Sequence, residues 1–266
     1  TVDFLSGLPF TGTFHANIIK IVAICNGYIR KFDSYCSFFK LMFPFLLAAL
    51  ASALFQWANP LTYTDIPDND VIRVGEDYYM VSTTMYYCPG APIMHSRDLV
   101  HWKIVNYVYD CLDDSDIHCL KDGKNAYGKG QWATSLRYHD GTFYALFITN
   151  EKKDNSYLYS TEDIVNGPWK RVELPWTMHD ATLLFDDDGR VYSIWGNGKI
   201  FIAELEPDCS AMKKGTAPRL LFEAPSEGYM LRAEGSRAYH IGDWYYVLVI
   251  DWPAGGVRTE TCWRSR

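Results

Sequence analysis

The feature that most constrains the fold of this chain is a hairpin that recurs four times. Each copy has a short apolar strand, a tight turn that contains glycine, and a second strand rich in aromatic residues. The turn glycines are Gly75, Gly141, Gly189 and Gly242, so successive copies are 66, 48 and 53 residues apart. Hairpins that repeat at roughly 50 residues are typical of β-propeller blades. The sequence therefore predicts an all-β propeller.

One position of the repeat predicts a site on the propeller axis. The first strand of each blade lines that axis, so residues at one repeat position converge there. The position seven to nine residues before each turn glycine holds Asp68, Trp132, Asp180 and Glu234. Aspartate is also common as a turn or capping residue at strand ends, and that is the alternative for any single acid. Three acids in four equivalent places indicate an acidic axial site.

The N-terminal part of the chain has no hairpin and is expected to be separate from the propeller. We expect residues 1–41 to be upstream sequence. Residues 42–53 form an apolar run that ends in Ala51-Ser52-Ala53, a pattern typical of a secretory signal peptide cleaved after Ala53. A buried hydrophobic helix is the alternative, and the run is too short for a membrane span. The sequence thus predicts a secreted, extracellular protein with no membrane contact in its mature form.

Charge and cysteine content narrow the classes of partner. The net charge is −7 and no basic cluster is present, which argues against nucleic acid as a partner. Aromatic residues make up 16% of the chain, a composition that suits neutral polyhydroxylated ligands. Cys111 and Cys119 flank a polar loop and can pair in an oxidising compartment. No cysteine spacing resembles a zinc site, so no metal site is predicted from the cysteines.

The ends of the predicted blades differ along the chain. The first two blades each have a strand that ends in Ser96 or Ser160, followed by an acidic turn and a Trp. The third blade is predicted over about residues 178–208, with residues 209–225 as a solvated connector. In the fourth blade Ser265 falls at the place of the other two serines, and the acidic turn and Trp do not follow. We therefore expect a chain cut within its fourth blade.

Three motifs, in order, give the chain a resemblance to glycoside hydrolase family 43. They are Asn59-Pro60 followed by Pro67-Asp68-Asn69-Asp70 and the strand Val71 to Tyr79, then His179-Asp180-Ala181-Thr182-Leu183-Leu184-Phe185, then Glu234-Gly235 before a hairpin that reaches Tyr246. From about residue 59 to 266 the sequence resembles that family. The resemblance implies a five-bladed propeller, of which residues 54–266 are an incomplete glycosidase domain. It also implies activity on β-xylosides or α-L-arabinofuranosides of plant cell-wall xylan and arabinoxylan.

The resemblance assigns a role to each candidate site residue. It implies Asp68 as general base, Glu234 as general acid, Asp180 as the residue that orients and tunes the acid, Trp132 as an aromatic wall of the sugar subsite, and Arg232 and Tyr86 as substrate contacts. For Arg232 and Tyr86, ordinary surface packing is the alternative. No cofactor is required for this chemistry, and a calcium ion on the axis is left open.

The acids at the repeat position fit glycoside hydrolysis on chemical grounds. The reaction needs one acid to protonate the leaving oxygen and one base to activate water, and inverting enzymes separate the two carboxyls by about 6.5–9.5 Å. Two alternatives are a carbohydrate-binding propeller without activity and a truncated, non-functional product. The three acids argue against the first alternative, whereas the missing final blade favours the second.

Overall fold

Four antiparallel β-sheets make up the described part of the chain, which in this computed structural model comprises residues 61–86, 88–151, 154–224 and 227–266. The predicted upstream segment 1–41 and the predicted signal peptide 42–53 lie outside the described residues, so both stay predictions. Within the described ranges, none of the helical structure has the length and apolar character needed to span a bilayer.

The first two sheets have four strands each, joined in sequence order. The first sheet contains β1 (Asp70–Val74), β2 (Asp77–Val81), β3 (Gly90–Ser96) and β4 (Lys103–Tyr109). The second contains β5 (Ser135–His139), β6 (Thr142–Phe147), β7 (Asn155–Thr161) and β8 (Lys170–Pro175). The long loop between β4 and β5 includes a short 3-10 helix, Lys121–Gly123.

The third and fourth sheets continue the same sequential order. The third contains β9 (Thr182–Phe185), β10 (Val191–Asn197), β11 (Lys199–Leu205) and β12 (Arg219–Glu223). The fourth has three strands, β13 (Tyr229–Ile241), β14 (Trp244–Pro253) and β15 (Thr259–Ser265). The all-β class and the arrangement of successive blades are therefore confirmed, with four blades described.

The predicted hairpin turns are present at the first two strands of these sheets. His139 pairs with Thr142, which leaves Asp140 and Gly141 as a two-residue loop. Both loop residues have positive φ, 47° for Asp140 and 82° for Gly141. Two consecutive positive φ values define the turn whose twist matches that of the flanking strands, and Asp-Gly is a favoured pair for it. Local turn chemistry thus fixes the register of β5 and β6.

Three apolar clusters fill the spaces between successive sheets. Ile93 and Phe147 belong to the cluster between the first and second sheets, and Leu146 and Leu183 to the cluster between the second and third. A third cluster, which includes Val247, lies between the third and fourth. The neighbours Leu146 and Phe147 belong to different clusters because successive side chains of a strand point to opposite faces. Strand β6 is therefore buried on both faces.

The structure corrects one prediction about the third blade. The connector predicted over residues 209–225 contains β12, which pairs with β11 through Ile202 opposite Arg219 and Phe201 opposite Leu220. The third blade therefore extends to Glu223 and has four strands. The reason is packing, because the short apolar run in β12 places Phe222 against the cluster between the third and fourth sheets.

Ser265 occupies the position that the repeat predicts for it. Tyr78 pairs with Ser96, Tyr144 with Ser160 and Tyr245 with Ser265, and each tyrosine lies three residues after its turn glycine. The three serines are thus equivalent within their sheets. The number of blades in a complete propeller and the truncation within the fourth blade stay predictions.

Candidate active site

The first strands of the four sheets meet in a buried cluster of polar side chains. Arg137 on β5 donates from Nη1 to Asp70 Oδ2 on β1 at 2.8 Å and from Nη2 to Thr182 Oγ1 on β9 at 2.7 Å. Arg237 on β13 places its Nε 3.2 Å from the same Asp70 oxygen. One residue from each sheet takes part, so β1, β5, β9 and β13 face a common axis, as the repeat predicts.

The axial cluster holds Asp70 as a carboxylate. The side chain of Asp70 is only 5% exposed, and this burial on its own would raise the pKa of the carboxyl. The charges of Arg237 and Arg137, together with the N–H of Leu136 at 2.9 Å, outweigh burial and lower the pKa of Asp70 below its ordinary value. The cluster therefore pairs one buried carboxylate with two guanidinium groups.

The predicted site residues lie just upstream of this axial cluster in all four sheets. Asp68 precedes Asp70 by two residues, Trp132 precedes Thr134 by two, Asp180 precedes Thr182 by two and Glu234 precedes Arg237 by three. The carbonyl oxygen of Thr134 accepts a hydrogen bond from Arg237 Nη2 at 3.3 Å. Because the first strands of all blades run in the same direction along the axis, residues two or three positions earlier in sequence lie at the same end of the axis in each blade. The predicted residues therefore gather at one end of the axis.

Two of the three predicted acids are brought together by a histidine. Glu234 Oε2 accepts a hydrogen bond from Asn197 Nδ2 at 2.6 Å and lies 3.1 Å from His179 Nε2. The same His179 nitrogen is 3.7 Å from Asp180 Oδ2. Asp180 Oδ2 also accepts the backbone N–H of Gly235 at 2.9 Å. The third and fourth blades thus build a linked group of two carboxyls and one imidazole.

Burial and like charge shape the titration of this group. Desolvation is the largest effect on Asp180 and raises its pKa, and the nearby charge of Glu234 raises it further, against the opposing effect of His179. The hydrogen bond to Glu234 is the main cause that raises the pKa of His179. The like-charge repulsion between the two acids therefore contributes to the raised pKa of Asp180. Such a group can keep and release a proton near a bound substrate.

Asp68 is exposed at the start of the first blade, in a different setting from the other two acids. Its backbone has a positive φ of 50°. Thr83 Oγ1 donates to Asp68 Oδ2 at 2.9 Å, and the Thr83 N–H donates to the carbonyl of Pro67 at 3.1 Å. These contacts fix the carboxylate while leaving it open to water, which suits a residue that activates a water molecule.

Trp132 and Arg232 are both linked to His179, Trp132 by ring contact and Arg232 by lining the same cavity. The Trp132 indole packs edge-on against His179, with 6.0 Å between ring centroids. Arg232 is exposed on β13 and lines a cavity of about 400 Å³ together with His179 and Asn197. The residues that line this cavity do not include Trp132 or the three predicted acids, so the cavity borders the His179 and Asn197 side of the site.

Tyr86 lies at a different cavity from the other predicted residues. Its side chain is 53% exposed and packs against Tyr127 with 5.0 Å between ring centroids. These two tyrosines line a smaller cavity of about 120 Å³ formed with the loop between β4 and β5. The structure therefore joins Trp132 and Arg232 to the paired acids through His179, and it does not join Tyr86 to them directly.

The axial acids do not form a calcium site of the usual kind. Among the described residues, the one group of three side chains able to hold a metal is His179, Asp180 and Glu234, whose donor atoms lie within 4.8 Å of one another. Calcium takes six to eight oxygen ligands, whereas this group offers one nitrogen and two carboxylates already engaged in hydrogen bonds. No metal is assigned to this group, and a calcium ion on the axis is left open.

Sequence reasoning missed several residues that shape the site. Asn197 and His179 hold the Glu234 carboxyl, and Arg137 and Arg237 form the axial cluster below it. One signal was available, because a polar or charged residue recurs two or three positions after each predicted site residue, and for Glu234 that residue is Arg237. Arg137 lies five positions after Trp132 and has no such signal. The contact of His179 with Glu234 has no such signal, since it depends on how two blades pack.

Comparison with known proteins identifies the family of the chain. The sequence profile of glycosyl hydrolases family 43 matches residues 57–264. A non-reducing end alpha-L-arabinofuranosidase BoGH43B of Bacteroides ovatus is 30% identical over 237 residues, which cover 87% of this chain and 42% of that protein. A beta-xylosidase of Bacillus subtilis is 32% identical over 219 residues, which cover 76% of this chain and 38% of that protein.

A solved structure gives the same result. A bifunctional GH43-CE protein of Bacteroides eggerthii is 47% identical and superposes with a TM-score of 0.72. The aligned region covers 78% of this chain and 27% of that protein. The present chain spans less than half the length of the two curated relatives. The profile match covers most of the chain, and it coincides with the sheets that carry the axial acids. This chain therefore belongs to glycosyl hydrolase family 43.

Proposed function

We propose that this chain hydrolyses O-glycosidic bonds of xylan- or arabinoxylan-type polysaccharides, at a β-xyloside or an α-L-arabinofuranoside, with inversion at the anomeric carbon. The observation that carries the proposal is the group of two acids and a histidine at one end of the axis, in which His179 is hydrogen-bonded to Glu234 and lies 3.7 Å from Asp180. The names of the relatives support the substrate class, because they include both an arabinofuranosidase and a β-xylosidase. A fifth blade and secretion remain predictions.

In this proposal Glu234 protonates the leaving oxygen. Asn197 and His179 both contact Oε2 of Glu234, and these contacts fix the direction of Oε1. When His179 donates from Nε2, Oε2 is the accepting oxygen and the proton of the acid resides on Oε1. That proton then points away from the His179 side and toward the glycosidic oxygen. Asp180 accepts the N–H of Gly235, the residue that follows Glu234, and this contact orients the acid.

Asp68 acts as the base on the opposite face of the sugar. Its ionised carboxylate takes a proton from a water molecule as that water attacks the anomeric carbon. Thr83 donates to Asp68 Oδ2, which leaves the other oxygen of the carboxylate to accept the water proton. Attack on the face opposite the leaving group inverts the anomeric centre, and the two acids return to their starting states by proton exchange with water.

The roles of Asp68 and Glu234 are tested by isosteric amide variants. Asp68→Asn and Glu234→Gln should each lower kcat on an aryl xyloside or arabinofuranoside by about 10²–10⁴-fold, the usual contribution of a general acid or base. Glu234→Gln should lose least on an aryl glycoside whose phenol is strongly acidic, because that leaving group needs little protonation. Asp65→Asn and Glu260→Gln, at exposed positions, are the matched controls and should retain the original rate.

Two outcomes would contradict the proposal. An unchanged kcat in Asp68→Asn would move the base to another residue. Binding of xylo-oligosaccharides without turnover by the unaltered chain would favour a binding propeller instead. Titration calorimetry beside the rate assay separates these two results.

A further inference from the structure

A second cavity lies between the third and fourth sheets, apart from the candidate active site. Its volume is about 530 Å³, which falls within the range of about 300–1,000 Å³ typical of small-molecule pockets. Asp186, in the turn that follows β9, lines this cavity, whereas Asp180 of the candidate active site precedes the same strand. The described residues that line it include none of the predicted site residues. We call this separate space the inter-sheet cavity.

Aromatic side chains from both sheets form one wall of the inter-sheet cavity. Phe222 on β12 stacks on Trp263 on β15, with 4.3 Å between ring centroids and 18° between ring planes. Tyr192 on β10 and the neighbours Tyr245 and Tyr246 on β14 also line the cavity. All five rings are only partly buried. Ligand pockets are lined mainly by such apolar and aromatic side chains, and a few polar groups then select the ligand.

Two arginines give the inter-sheet cavity a positive charge, one from each sheet. Arg219 on β12 and Arg264 on β15 both line it, and both are exposed. Among the described residues, neither guanidinium has a carboxylate within ion-pair distance, and Arg264 lies over the Trp244 ring with 4.6 Å from Cζ to the ring centroid. Because the whole chain has a net charge of −7, two such guanidiniums at one cavity oppose the overall charge. They favour an anionic ligand.

The other charged side chains that line the inter-sheet cavity already have partners. Asp186 accepts the Tyr245 hydroxyl at 2.8 Å on Oδ1 and at 2.9 Å on Oδ2, and its Oδ1 lies 3.1 Å from His240 Nδ1. Arg190 donates from Nε to Asp188 Oδ2 at 2.7 Å. The carboxylate of Asp186 is thus engaged by groups of the fourth sheet. The two arginines without a carboxylate partner are therefore the groups that a ligand can meet.

We propose that the inter-sheet cavity binds a saccharide that carries a carboxylate, such as a uronic acid unit of an oligosaccharide. The carboxylate accepts hydrogen bonds from the guanidiniums of Arg219 and Arg264, since planar guanidinium groups match a carboxylate in geometry and charge. The apolar C–H face of the sugar ring packs against the pair formed by Phe222 and Trp263. The choice of a saccharide follows from the family of the chain, and this binding does not depend on the proposed hydrolysis.

Titration calorimetry on the full chain tests the proposal. The probe is a xylo-oligosaccharide that bears one glucuronic acid, compared with the same oligosaccharide without the acid, in a Glu234→Gln background that limits hydrolysis. We expect the acidic probe to bind about 10-fold more tightly, and Arg219→Gln and Arg264→Gln each to raise its Kd by about 10-fold. Added salt should weaken this preference. Arg258→Gln is the matched control, because Arg258 is exposed and lies over Trp252 at 4.7 Å without lining the cavity.

Several results would overturn the proposal. Equal affinity for the acidic and neutral probes would do so, as would an unchanged Kd in a double variant of Arg219→Gln and Arg264→Gln whose melting temperature matches that of the unaltered chain. Acetate that binds as tightly as the acidic probe would indicate a simple anion site and would overturn the saccharide. Binding of the acidic probe by a chain without activity on aryl xylosides or arabinofuranosides would support this inference while contradicting the proposed function.

Discussion

At the scale of single residues, Asp180 belongs to the candidate active site but reduces the stability of the fold when it is ionised. Its side chain is 12% exposed, and its pKa is raised by desolvation first and by the charge of Glu234 second. A carboxyl whose pKa is raised by folding stabilises the protein fully below its unfolded pKa, and this stabilisation is lost as the pH rises through the raised value. At neutral pH the ionised Asp180 therefore works against folding.

Asp180→Asn is expected to lower activity while it improves stability at neutral pH. Asparagine keeps an oxygen that can accept the Gly235 N–H, but it carries no charge to repel Glu234. The melting temperature of the variant relative to the original should rise as the pH increases from below 3.8, the ordinary pKa of the carboxyl, through the raised value. Thermal unfolding across that range measures this difference. A variant that is destabilised more at neutral than at acidic pH would contradict this account of Asp180.

Asn197 is expected to matter for catalysis because it holds the acid. It donates to Glu234 Oε2 at 2.6 Å, and a hydrogen bond to the carboxylate that Glu234 becomes as its proton leaves contributes about 1.5–3 kcal/mol. Asn197→Ala should therefore lower kcat by about 10–100-fold with little change in KM, as measured by steady-state kinetics. Asn166→Ala, which removes a surface contact to Asp163, is the control. A rise in KM with unchanged kcat would instead assign Asn197 to substrate binding.

At the scale of strands, the axial cluster is expected to contribute more to stability than the surface ion pairs. Asp70→Asn leaves Arg137 and Arg237 without their shared carboxylate, and losing one partner of a buried ion pair costs about 3–5 kcal/mol. Asp188→Asn at an exposed turn should cost far less, because water screens the pair of Asp188 with Arg190. Equilibrium unfolding in urea measures both variants, and equal losses would contradict a special role for the cluster.

The pH dependence of this contribution runs opposite to that of Asp180. The pKa of Asp70 is lowered in the folded state, so its stabilisation is present above the unfolded pKa and is lost as the pH falls through the lowered value. The difference in unfolding free energy between Asp70→Asn and the original protein should therefore shrink in strong acid. If this difference in unfolding free energy stays constant in strong acid, Asp70 is not the group whose protonation weakens the cluster.

The hairpins and the axial positions were predictable because both follow from local chemistry. A turn such as Asp140-Gly141 fixes the register of its two strands, and the repeat then fixes which residues face the axis. Strand β12 was not predictable in this way, because it is short, follows a polar connector and pairs with β11 through a register shift. The contact of His179 with Glu234 joins residues 55 positions apart and follows only from the packing of two blades.

At the scale of the whole molecule, the blades are held together by the apolar clusters between them. Leu146 is fully buried in the cluster between the second and third sheets. Leu146→Ala should therefore destabilise the protein by about 3–5 kcal/mol, the range for a buried leucine that leaves a cavity. Leu220 on β12 is 48% exposed, and Leu220→Ala should change stability by about 0.5 kcal/mol or less. Urea unfolding compares the two, and similar losses would contradict the assignment of the core.

The central claim is that acids from different blades act together on one glycosidic bond with inversion. The most direct test follows the hydrolysis of a β-xyloside by proton NMR and records the anomeric form of the first xylose released, before it equilibrates in water. Water activated by Asp68 and a leaving group protonated by Glu234 predict α-xylose as the first product. β-Xylose as the first product would show retention and would contradict this account of the site.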